Sequence, residues 1–68
     1  MLSKEDIEAT KNWLERIGKL DDSYQRDLIE DAIYCGGYSA ERSLKTMAAN
    51  YRNSGDYDAA EVVERLYK

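Results

Sequence analysis

The sequence predicts an all-α fold, a compact four-helix domain of short antiparallel amphipathic helices. Three observations carry that expectation. Apolar residues recur at helical spacing along nearly the whole chain, and no segment sustains the alternate-residue pattern of a strand. Proline is absent, and Gly18, Gly36, Gly37 and Gly55 divide the chain into pieces of helix length. The pieces open on Ser or Asp, whose side-chain oxygens cap free backbone N–H groups. Helices are therefore expected over about residues 3–19, 23–35, 39–53 and 57–67, in one domain covering residues 1–68.

The first helix opens at Ser3, with Asp6 placed as in a capping box. Leu2, Ile7, Thr10, Trp13, Leu14, Ile17 and Leu20 fall on one stripe at ~100° per residue, and Lys4, Glu8, Lys11, Glu15 and Lys19 take the other side. Trp13, at the edge of the stripe, is expected to close the core. The second helix starts at Asp21, Asp22 or Ser23 and stops at Gly36-Gly37. Its apolar line is Tyr24, Leu28, Ala32 and Cys35, widened by Ile29 and Ile33, so Cys35 is expected in the core as a small hydrophobe. The third helix is expected to be capped by Ser39 and to end before Gly55. It turns Ala40, Leu44, Met47, Ala48 and Tyr51 inward and Arg42, Lys45 and Arg52 outward. The fourth is capped by Asp56 or Asp58, with Ala59, Val62, Val63 and Leu66 inward and Ala60 and Tyr67 at one edge. Tyr24, Tyr51 and Tyr67 read as core-edge rings whose hydroxyls reach water.

Composition excludes more functions than it names. A chain of 68 residues builds one small core with little room for an internal pocket. Without His there is no imidazole base, no His-activated nucleophile and no mixed Cys and His zinc site. Cys35 is the only cysteine, so no internal disulfide forms. It also sits at a helix C-terminus, where the dipole disfavours a thiolate. A net charge of −4 opposes general binding to a phosphate backbone. Asp56, Asp58 and Glu61 lack the full ligand spacing and central glycine of a calcium loop. The start has no apolar run of signal-peptide length, and no stretch approaches ~20 apolar residues. The expectation is a soluble cytoplasmic chain that is not an enzyme and uses no cofactor or metal.

The last third, SLKTMAANYRNSGDYDAAEVVERLYK, resembles a single tetratricopeptide-type helical hairpin over residues 43–68. Leu44, Met47, Ala48 and Tyr51 match the bulky, bulky, small and aromatic positions of that family's first helix. Gly55 and Tyr57 match its turn, and Ala60 matches the small residue at the helix crossing. Glu64 replaces the family's aromatic and Tyr67 its next small residue, and no proline closes the unit. The resemblance implies a tight helical pair and a protein- or peptide-binding role without enzymatic activity.

Tyr34 stands apart from the other tyrosines. The helical wheel sets it among Asp27, Glu30 and Asp31, away from Leu28, Ile29 and Ala32, where either solvent or a partner receives it. Exposed aromatics set in charge are favoured interface anchors. These acids lie mid-helix, so dipole compensation at a helix start does not account for them. They suit a solvated face, a basic surface on a larger protein, or a stand-in for phosphates before a nucleic-acid-binding protein. Arg42, Lys45 and Arg52 form a second candidate face, too sparse for nucleic acid but able to meet an acidic patch. The function expected is that of a small acidic module that regulates or inhibits a larger protein by covering its surface. In size and charge it is similar to phage and mobile-element proteins that block host machinery such as CRISPR effectors. Neither membrane nor direct nucleic-acid contact is expected. The alternative is a structural or assembly subunit, acting as a homo-oligomer or within a larger complex.

Overall fold

A computed structural model describes residues 2–68. Four helices follow one another: α1 (Lys4–Arg16), α2 (Ser23–Cys35), α3 (Gly37–Asn53) and α4 (Tyr57–Glu64). The longest, α3, packs against both α2 and α4, while α1 touches α2 and α4 more lightly. Side-chain cross-links show that consecutive helices run antiparallel. Lys11 pairs with Glu30 and Glu15 with Arg26. Gln25, early in α2, reaches Met47 and Asn50, late in α3. Arg52, near the end of α3, pairs with Glu64, while Lys45, at its middle, meets Tyr67 farther along the chain. Among the described residues no strand occurs, and no helix is long and apolar enough to cross a membrane.

The caps follow from local chemistry. The side chains of Ser3, Asp22 and Asp56 accept hydrogen bonds from the backbone N–H groups of Asp6, Tyr24 and Ala59. Helices α1 and α3 end in the same way, each on a glycine of positive φ: Gly18 at 76° and Gly55 at 81°. Past Gly18, the Lys19 N–H donates to the Leu14 carbonyl at 2.9 Å; past Gly55, the Asp56 N–H donates to the Tyr51 carbonyl at 2.8 Å. These bonds satisfy carbonyls that the helix ends would otherwise leave free.

The core draws on all four helices and the first connection. Ile7 and Leu14 come from α1, Leu20 from the connection, and Ile29 and Ala32 from α2. Ala40, Leu44, Met47, Ala48 and Tyr51 of α3 are buried together, the line read from the sequence. Ala59, Ala60 and Val63 complete the core from α4, so Ala60 lies at the centre of the contact and not at its edge. Small residues here let α3 and α4 approach closely. Trp13, Leu28, Leu66 and Tyr67 pack half-buried around this cluster.

Four expectations need correction. The buried line of α2 is Gln25, Ile29 and Ala32, which leaves Tyr24 and Cys35 exposed. A polar residue holds the centre because its amide is satisfied: Gln25 Nε2 donates to the Met47 carbonyl at 3.0 Å, and Asn50 Nδ2 donates to Gln25 Oε1 at 2.8 Å. Ser39 does not cap α3. Gly36 and Gly37, with φ of 66° and 56°, turn the chain at once, so the helix begins before Ser39 and has no side-chain cap. Ile17 is 42% exposed, because α1 ends at Arg16 and the chain leaves through Gly18. Finally, α4 stops at Glu64, and its last residues form turns.

Tyr51 joins three of these segments. Its hydroxyl donates to the Lys19 carbonyl at 2.8 Å, and Lys19 Nζ pairs with the Asp56 carboxylate at 2.6 Å. Burial, then the nearby Asp56 charge, pushes the phenol from its ordinary value near 10 up to about 12. A folded value above the unfolded one means this stabilisation is complete below pH 10 and is lost as pH rises through about 12. Urea midpoints of the native chain should therefore fall more steeply from pH 10 to 12 than those of Tyr51→Phe; parallel curves would show the phenol to be uncoupled from folding. Gly55→Ala should destabilise by about 1 kcal/mol or more in urea unfolding, since a Cβ is unfavourable at positive φ. A stabilised variant would contradict the turn.

Candidate partner-binding surface

On α2, the inward line of Gln25, Ile29 and Ala32 fixes what points away. Tyr34 falls ~180° from that line at the helical repeat, and its side chain is 88% exposed. Asp27 and Asp31 are exposed on the same side. Glu30 differs: its carboxylate meets Lys11 Nζ at 3.3 Å, a bond that ties α2 to α1. The structure thus gathers Tyr34, Asp27 and Asp31 on an open face and turns Glu30 toward α1. Tyr34 and Ile33 line a shallow depression of about 320 Å³ with Lys4, Glu8, Lys11 and Glu30.

Tyr38, in the first turn of α3, is 80% exposed, and at the helical repeat it falls on the side of Lys45 and Arg52. Sequence reading passed over it because a cap at Ser39 leaves Tyr38 in a loop. The usable signal was its position just ahead of the Ala40–Leu44–Met47 line and off that line. Cys35 and Gly37 are also exposed at the corner.

The second candidate face is largely satisfied from within. Arg52 grips Glu64 through Nε at 2.7 Å and Nη2 at 2.6 Å. That hydrogen bond is the main reason the Glu64 carboxyl is held below its ordinary value of 4.5. Lys45 pairs with Glu41 at 3.0 Å and lies 5.9 Å from the centre of the Tyr67 ring. The Glu41 hydrogen bond and charge hold the Lys45 ammonium above its ordinary range. Among the described residues Arg42 has no carboxylate partner. Lys45 and Arg52 are therefore fastened to neighbouring side chains, and the triad does not form an open cationic patch. Glu64, where the tetratricopeptide family carries an aromatic, is used here to link α4 to α3.

With this geometry in place, comparison with protein families, curated proteins and solved structures finds no match to the chain.

The Arg52–Glu64 link has a pH signature. A lowered folded value means its contribution is present above the unfolded carboxyl's value and is lost as pH falls through Glu64's lowered one. Arg52→Gln should lower the thermal midpoint at neutral pH, and the difference from the native chain should shrink as pH drops below 4.5. A difference that is constant with pH would show that Arg52 acts through packing.

Proposed function

We propose that this protein is a non-enzymatic binding module whose α2–α3 corner docks on a basic surface of a larger protein, regulating or inhibiting that protein by covering it. The observation that carries this reading is Tyr34, 88% exposed on the same side of α2 as the open carboxylates of Asp27 and Asp31. A phenol ring offers large contact area with few torsions to freeze, and its hydroxyl keeps a hydrogen bond at a wet interface. The open carboxylates, within a chain of net charge −4, steer a cationic partner into register. The same corner is suited to proteins that present basic grooves to nucleic acid. In size and charge the chain is similar to phage and mobile-element inhibitors of host machinery, which makes a cytoplasmic nucleic-acid-processing effector, CRISPR effectors among them, the first partner to try. The hairpin resemblance of residues 43–68 supports a protein-binding role.

The test begins with capture of the partner from the native host, followed by binding kinetics on purified components. Tyr34→Ala should weaken the complex by about 2 kcal/mol or more while leaving the melting temperature nearly unchanged. Asp27→Lys should mainly slow association, and the penalty should shrink at high salt. Normal binding by Tyr34→Ala, or lost stability with normal binding per folded molecule, would make Tyr34 a surface or packing residue and remove this corner as the site.

A further inference from the structure

A second surface lies between α1 and α4, the lightly packed pair. Two adjoining depressions of about 420 and 380 Å³ share Trp13, Val62 and Arg65. Their floor is apolar: Trp13 and Val62 are half-buried, and Ile17 is exposed where α1 ends. Such a floor between two helices has the form that receives an amphipathic helix. The tetratricopeptide resemblance does not extend to α1, so it supplies no reason for this groove.

Charge decides what fits. Among the described residues neither Asp58 nor Glu61, both on the α4 side, has a cation partner. The groove's other acid, Asp56, is already held by Lys19 at 2.6 Å. Two open carboxylates thus outweigh the one unpaired guanidinium, Arg65. A second copy of this chain would bring its own net charge of −4 against the same acids, so self-association is opposed. We infer that the α1–α4 groove is a docking site for a basic amphipathic helix of a partner protein. Its leucine-like side chains would lie on Trp13, Ile17 and Val62, and its lysines or arginines would reach Asp58 and Glu61. This surface is separate in its residues from the Tyr34 face, so one domain can hold two basic segments.

Trp13 is the only tryptophan, so its emission reports on this groove directly. The probe is a helical peptide of Leu and Lys at amphipathic spacing, with a Leu and Glu peptide of the same pattern as control. The Lys peptide should shift Trp13 emission to the blue in a saturable way and bind at least about tenfold more tightly than the Glu peptide. Asp58→Lys combined with Glu61→Lys should invert that order. Ile17→Lys, placed outside the helices, should weaken the Lys peptide with helicity unchanged by circular dichroism. Asp27→Lys combined with Asp31→Lys should leave the Trp13 response intact, which separates this groove from the Tyr34 face. Absence of a saturable shift, equal affinity for both peptides, or unchanged binding by Ile17→Lys would overturn the proposal. So would loss of binding on reversing Asp27 and Asp31, or an emission that changes with protein concentration before peptide is added.

Discussion

The fold depends on one phenol. Tyr51 is buried near the end of α3, and its hydroxyl holds the Lys19 carbonyl in the connection that brings α1 into α2. Its own carbonyl takes the Asp56 N–H that begins the approach to α4. Asp56 then caps α4 through Ala59 and pairs with Lys19. Three connections between helices could each be loose in so short a chain; here two of them are tied to one residue, through its hydroxyl and its backbone carbonyl, and to each other. The core beneath is small, so polar links of this kind carry an unusual share of the specificity.

Gln25 performs the complementary task between α2 and α3. An amide at the centre of a small core is costly unless every arm is bonded, and Met47 and Asn50 supply those bonds. Apolar contacts alone would let α2 slide or rotate along α3, since Leu, Ile and Ala surfaces are alike. The amide accepts one register. That register, in turn, aims Tyr34 outward and Ile29 inward.

The sequence was informative wherever apolar pattern and burial coincide. The α3 line from Ala40 to Tyr51, the cap at Ser3 and the positive φ of Gly55 were legible, because each rests on a local rule, while the choice of Asp22 over its neighbours and of Asp56 over Asp58 came from the structure. The exposure of Tyr34 was legible for the same reason. The errors came from tertiary chemistry that a wheel does not contain. Gln25 is polar by composition yet buried by its partners, and counting it as polar rotated the α2 line onto Tyr24 and Cys35. Glu30 was grouped with the open acids, since nothing along α2 reveals that Lys11 of α1 lies beside it. Arg52 read as part of a cationic face because Glu64 comes to it from α4, whereas the Lys45–Glu41 pair, four residues apart on α3, was open to the wheel and went uncounted.

At the α2–α3 corner a single residue, Gly36, closes one helix and opens the next. No linker separates the two rods, so the spacing between the rings of Tyr34 and Tyr38 is a function of the torsions at Gly36 and Gly37. The corner acts as a calliper with a two-residue pivot. One added residue there would reset the direction of α3 relative to α2, and with it the direction of Tyr38 relative to Tyr34. A corner set by so few angles is rigid when the glycines are held, and its span can be reset by changing them alone.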